Sequence, residues 1–167
     1  PGKTLRDTHP YGVLDVAGIL RVSSNIGAAK IGYQLGAENH YEMLSALGFG
    51  SGTGTGFPDE SAGLLRNWKR WRPVDHATVS FGQGVSVTPM QLAAATAALA
   101  NGGILRPPRL VAARREPGGV WQPTPPSEGR RVLREEVAAQ LRAMLEGVVH
   151  SEGTGVRASL EGVRVGG

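Results

Sequence analysis

Apolar positions in this chain recur at helical spacing in several stretches and alternate almost nowhere. Val13, Leu14, Val16, Ala17 and Leu20 form one stripe, which predicts a first helix from about residue 13. Between Gly27 and Gly36 the apolar side chains fall on two faces, Ile26, Ala29 and Tyr33 on one and Ala28, Ile31 and Leu35 on the other. That pattern predicts a largely buried helix. Tyr41, Leu44 and Leu47 give an inward face to a third helix over 38–47. The clearest helix start is Thr88-Pro89-Met90-Gln91: an N-cap, a proline at the first helical position, and a glutamine that closes a capping box. The run from Met90 to Ala100 is apolar nearly all round with small side chains, and predicts a central buried helix ended by Asn101-Gly102-Gly103. Val137, Leu141, Met144, Leu145 and Val148 define a last amphipathic helix within 134–149.

Breakers set the rest. Alternating glycines from Gly48 to Pro58 disfavour regular structure and mark a tight loop. Leu105 to Arg115 and Gly119 to Gln122, around Pro117-Gly118-Gly119, predict an extended hairpin, with 123–129 as a linker. The organisation expected is one partial domain over 1–167: a helical core 13–103, a β hairpin 104–122 and a C-terminal helix 134–149. The fold class is mainly α with one small β element, and no complete sheet is encoded.

Composition changes this picture little. The 167 residues suffice for one domain, and with aromatics at only 5% the core must be built from Ala, Leu and Val. There is no cysteine, which excludes disulfides and thiolate metal sites. The net charge of +4 raises the question of an anionic partner, but the arginines are scattered rather than massed. No apolar run approaches the roughly 18–20 residues that cross a bilayer. The chain starts at Pro1 rather than Met and stops at Val165-Gly166-Gly167 after a strand-like rise, so both ends are expected to be cuts through a longer protein.

Several chemical signals fail on inspection. Pro1-Gly2-Lys3-Thr4 ends like a phosphate-binding loop, without that motif's upstream glycine and strand. The glycines at 50, 52, 54 and 56 miss G-x-G-x-x-G because Thr55 occupies the third glycine position. His9, His40, His76 and His150 are dispersed with no metal-ligand spacing, so no metal and no cofactor is expected. Arg66 to Arg72 interleaves cations with Trp68 and Trp71, a composition that could stack on nucleic acid. Being short and followed by Pro73, it is expected instead to pack its tryptophans inward under the arginine stems, with no nucleic acid bound.

Ser23-Ser24-Asn25 is the remaining candidate. Lys30 lies about 9–10 Å along a continuous helix from either serine, too far to act as the base of a self-contained nucleophile. Taken alone, the tripeptide fits an N-cap by Ser24 or Asn25. Its context says more. Leu20 to Lys30 resembles the S-x-N segment of class B penicillin-binding proteins, the division and elongation transpeptidases. Three further stretches agree in order: Leu47 to Gly54 running on to Phe57-Pro-Asp-Glu-Ser61; Ser80 to Leu92; and Ala100 to Gly103 leading to Arg106-Pro-Pro-Arg-Leu110. Leu145 to Val149 and Glu152-Gly-Thr-Gly155 likewise resemble the approach to that family's K-T-G strand.

The resemblance implies a fragment of the α/β transpeptidase fold shared with serine β-lactamases, lacking most of its central sheet. It implies a peptidoglycan D,D-transpeptidase in which the serine of S-x-x-K attacks a D-Ala-D-Ala stem peptide, β-lactams being alternative acylating partners. By motif match Ser23 relays a proton towards the leaving amine, and Asn25 hydrogen-bonds the substrate and the lysine; Ser24 is the variable middle position and receives no role. The 167 residues contain neither S-x-x-K nor K-T-G, so the chain is expected to be inactive alone. The implied partners are the stem peptide, β-lactams and the rest of the transpeptidase domain. An alternative reading is an association module, because helices made to cover a sheet leave an apolar face that drives pairing with the missing sheet or with another copy. The implied location is the extracytoplasmic side of the bacterial membrane, with the parent protein membrane-anchored.

Overall fold

A computed structural model describes residues 4–150 and 152–167. The phosphate-loop look-alike at Pro1 to Thr4 therefore falls mainly outside the described residues. Among the described residues six α-helices run in chain order: α1 (Val16–Arg21), α2 (Asn25–Leu35), α3 (Ala37–Ala46), α4 (Pro73–Val79), α5 (Pro89–Ala100) and α6 (Glu135–Glu146). Four two-residue strands, β1 (Ile104–Leu105), β2 (Ala113–Arg114), β3 (Gln122–Pro123) and β4 (Arg130–Arg131), lie between α5 and α6.

The helix starts follow their caps. α1 begins later than its apolar stripe predicts because Asp15 caps it, accepting from Gly18 N at 2.7 Å, which leaves Val13 outside the helix and fully exposed. At α5 the whole capping box forms: Thr88 Oγ1 accepts from Gln91 N at 3.1 Å and Gln91 Oε1 accepts from Thr88 N at 2.8 Å. Gly36, at φ +84°, separates α2 from α3. α2 packs on α4 across Gly32, where a Cβ would collide with the Ser80 hydroxyl, so a side chain there would force Ser80 to shift.

The hairpin differs from the sequence expectation. β2 and β3 pair antiparallel, but β1 pairs with β4 in the stretch next to the predicted linker, Ile104 opposite Arg131 and Leu105 opposite Arg130. Gly103 closes this junction, its carbonyl accepting from Val132 N and Leu133 N at 2.8 and 3.1 Å.

Burial also departs from the pattern. α5 buries one face only, Gln91, Ala95 and Ala98, and Leu92 on the opposite side is 53% exposed. α2 buries Gly27, Ala29 and Gly32, while Ile31, Tyr33 and Leu35 are exposed. The apolar periodicity is real, but among the described residues the second face of each of these helices is left exposed. The accessible surface is 11641 Å², whereas a self-contained 17.5 kDa monomer exposes about 7,900 Å².

Candidate functional site

The Ser-Ser-Asn corner is built by the end of one helix and the start of the next. α1 stops with Val22 N donating to Gly18 O at 3.0 Å and Ser24 N reaching back to Ile19 O at 3.0 Å. Ser23, between them, takes φ +54°. Helices commonly end in this left-handed conformation, but with glycine; a serine there costs of order 1 kcal/mol or more. Its side chain is exposed, and its Oγ lies 3.2 Å from Thr154 Oγ1.

The next two residues are differently placed. Ser24 is 3% exposed and caps α2: its Oγ accepts from Gly27 N at 2.9 Å and donates to Asp7 Oδ2 at 2.7 Å. Both its proton and a lone pair are thereby committed. Asp7 Oδ1 also accepts from Ile26 N at 2.9 Å. Partial burial works against the Asp7 charge, but the bonds from Ile26, Ser24 and Asn25 outweigh it and hold the carboxyl below its usual range. Asn25 is half-buried, its Nδ2 making one long bond to Arg6 O at 3.4 Å. Lys30 is exposed further along the same unbroken helix, as the spacing argument requires.

The C-terminal segment reaches this corner too. Thr154 N donates to Arg21 O at 3.2 Å, and Arg21 Nη1 meets Glu152 at 3.3 Å. A groove of about 740 Å³ runs beside the corner, lined by Asp7, Tyr11, Val13, Ile19, Ser24 and Lys30. Ser23 stands outside that lining. Asp7 and the Ser23–Thr154 contact escape sequence reasoning because their partners lie 17 and 131 residues away. The one available signal for Thr154 is its place in the Glu152-Gly-Thr-Gly155 stretch.

The other chemical signals fall elsewhere. Trp71 packs inward as expected, edge-on to His40 and Tyr41, its Nε1 donating to Arg66 O at 2.9 Å. Trp68 is half-buried beneath Lys69. Two of the histidines dispersed along the sequence in fact meet: the His40 and His76 rings lie 5.5 Å apart, with Tyr33 against His76. Among the described residues no cluster of three or more His, Asp or Glu is poised to hold a metal, and no helix is long and apolar enough to cross a membrane. In the glycine loop, Glu60 accepts from Thr53 N at 3.0 Å and from its hydroxyl, filling the loop with the chain's own carboxylate.

Together these features give a serine-and-carboxamide corner on a mainly helical scaffold with two short strand pairs. The family described as penicillin binding protein transpeptidase domain matches residues 3–167, and the chain belongs to it. The probable peptidoglycan D,D-transpeptidase PenA of Neisseria meningitidis serogroup A is 40% identical over 162 residues, which cover 97% of this chain and 26% of PenA. The apo transpeptidase domain of penicillin-binding protein 3 from Burkholderia pseudomallei superimposes with a TM-score of 0.84 at 38% identity, covering 96% of this chain and 46% of that one. Penicillin-binding protein 3 of Mycobacterium tuberculosis, solved with aztreonam, gives 0.86 at 34% identity, covering 95% and 37%. The chain thus spans about a quarter of the length of the curated relatives it matches.

Proposed function

We propose that this chain is the S-x-N-bearing part of a serine-type peptidoglycan D,D-transpeptidase, which cross-links stem peptides ending in D-Ala-D-Ala through an acyl-enzyme and is inhibited by β-lactams. Ser23 passes a proton to the leaving amine, and Asn25 orients the substrate and the attacking serine's lysine. The nucleophile and the K-T-G strand come from outside these 167 residues, which hold neither motif, so the chain is inactive alone. The work is done on the outer side of the cytoplasmic membrane by a membrane-anchored parent.

The observation that carries this is the contrast between neighbouring serines. Ser24 is buried with its hydroxyl fully bonded, while Ser23 is exposed in a backbone conformation that disfavours it. Strain retained at an exposed polar residue accords with a functional constraint rather than a packing one. The weak tie on Asn25 leaves its carboxamide ready to exchange Arg6 O for a ligand.

The test is intact-mass analysis after incubation with penicillin, on this chain alone and on the protein carrying its natural flanking sequence. One adduct is expected on the flanked protein, at a serine outside the chain, and none on the chain alone. In the flanked protein Ser23→Ala should slow acylation about 10²-fold or more, as loss of a positioned proton carrier does. A stoichiometric adduct on Ser23 or Ser24, or no adduct on the flanked protein, would defeat the proposal.

A further inference from the structure

The N-terminus of α2 is closed from below by a residue well outside the S-x-N tripeptide. The first four N–H groups of a helix have no partner within it. In α2, Ile26 N donates to Asp7 Oδ1 at 2.9 Å, Gly27 N to Ser24 Oγ at 2.9 Å, and Ala28 N to Ser24 O at 3.0 Å. The Ser24 hydroxyl proton goes to the other oxygen of Asp7 at 2.7 Å. The backbone donors of Ile26, Gly27 and Ala28 therefore converge on two residues, Asp7 and Ser24. On the far side Ser23 is fixed by the α1 terminus, through Ser23 N to Leu20 O at 3.2 Å and Ser24 N to Ile19 O at 3.0 Å.

We propose that Asp7 and Ser24 form a clamp that sets the positions of Ser23 and Asn25, with Asp7 acting as a positioning residue for acyl transfer; this rests on the function proposed above. The chemistry favours a carboxylate. Asp7 must accept from a hydroxyl and from backbone N–H groups at once, which an ionised carboxylate does with both oxygens and a neutral amide cannot. Its negative charge also sits at the positive end of an 11-residue helix. Asp7 bonds to Ser24 and Ile26 rather than to Ser23, so it acts through Ser24 and the α2 backbone. The clamp also accounts for the middle serine of the tripeptide. The Ser24 hydroxyl is consumed in holding the turn, while the Ser23 hydroxyl stays exposed, with Thr154 Oγ1 at 3.2 Å as its neighbour.

The test uses the protein with its natural flanks and two readouts. The first is β-lactam acylation, resolved into the affinity of the initial complex and the rate constant of the acylation step per titratable site. Asp7→Ala should lower that rate constant about 10–100-fold, the scale expected when a reacting group is displaced by around 1 Å. The initial affinity should stay within about twofold, because no substrate contact is removed. Asp7→Asn, which keeps one acceptor, should fall between Asp7→Ala and the parent. Adding Ser24→Ala to Asp7→Ala should cost little more, since both remove one clamp.

The second readout is amide exchange at Ile26 and Gly27, expected to be at least about tenfold faster in both Asp7 variants. That measurement reports on the clamp even if Asp7→Ala is poorly folded or the parent is not acylated. Parent-like acylation in Asp7→Asn, or rate and affinity falling together, would overturn the positioning role. Unchanged exchange would overturn the clamp itself. A parent protein that penicillin does not label would instead defeat the proposed function.

Discussion

Gln91→Leu should be among the most damaging single substitutions in this scaffold. Gln91 is 1% exposed and the largest fully buried side chain among the described residues. Its amide joins three segments: Nε2 donates to Ser51 O at 2.7 Å and Ala62 O at 2.9 Å, and Oε1 accepts from Thr88 N at 2.8 Å. Leucine has a similar volume, so the change opens little cavity and isolates the polar loss. It leaves two carbonyls and one N–H without partners, at about 1–3 kcal/mol for each group left unsatisfied. Partial relief by water and by movement of the glycine loop brings the expected total to about 3–5 kcal/mol. That is a large fraction of the 5–15 kcal/mol by which domains are ordinarily stable.

Gln91→Glu supplies the internal control. An ionised carboxylate facing two carbonyls is repelled, whereas the protonated acid restores one donor, so this variant alone should recover stability on acidification. Denaturant midpoints at neutral and acidic pH on the protein with its natural flanks measure both; amide exchange at Leu64 and Ser86, whose backbones pair antiparallel at 2.7 and 2.9 Å, reports on the adjoining loop. A loss under about 1 kcal/mol for Gln91→Leu, or a Gln91→Glu loss that does not shrink in acid, would refute the reasoning.

The His40–His76 pair gives a pH expectation: burial, with the His76 charge adding at His40, holds both rings below their ordinary value. Stability is then full above about pH 6.5 and lost as pH falls through the depressed folded values, because the unfolded chain binds protons first. Between pH 7.5 and 5.5 the melting temperature should drop by about 2–4 °C more than in His76→Phe, and equal drops would contradict this. The surplus surface of about 3,700 Å² implies that the chain expressed alone associates and binds apolar dyes, since an area of that size is typical of obligate interfaces. A strictly monomeric species at high concentration with no dye binding would count against it.

What the sequence made legible was local. The Thr88 and Gln91 capping box and the Ser24 cap need only residues three apart, and each formed as the residue types require. The C-terminal amphipathic stripe likewise sits inward, with Val148 buried. What it hid was either long-range or missing. The β1–β4 pair has two residues a side, too few for an alternating pattern, and Arg130-Arg131 carries no apolar signal. Asp7, Thr154 and the meeting of His40 with His76 depend on tertiary approach that no spacing encodes. The second faces of α2 and α5 are apolar, as the pattern says, yet not buried, because periodicity reports what a helix wants to touch and not whether the same chain provides it.

The β1–β4 pair has a consequence of its own. By bringing Leu105 beside Arg130, it makes a neck from which the stretch 106–129 projects, with Val120 79% and Trp121 64% exposed near its tip. A segment whose ends are already joined can change length without informing the helices below, since doubling such a loop costs only about 0.6 kcal/mol. This outgrowth is therefore where insertions should be tolerated and where a reporter peptide could be spliced. The Ser-Ser-Asn turn, locked by bonds from both sides, has no such freedom.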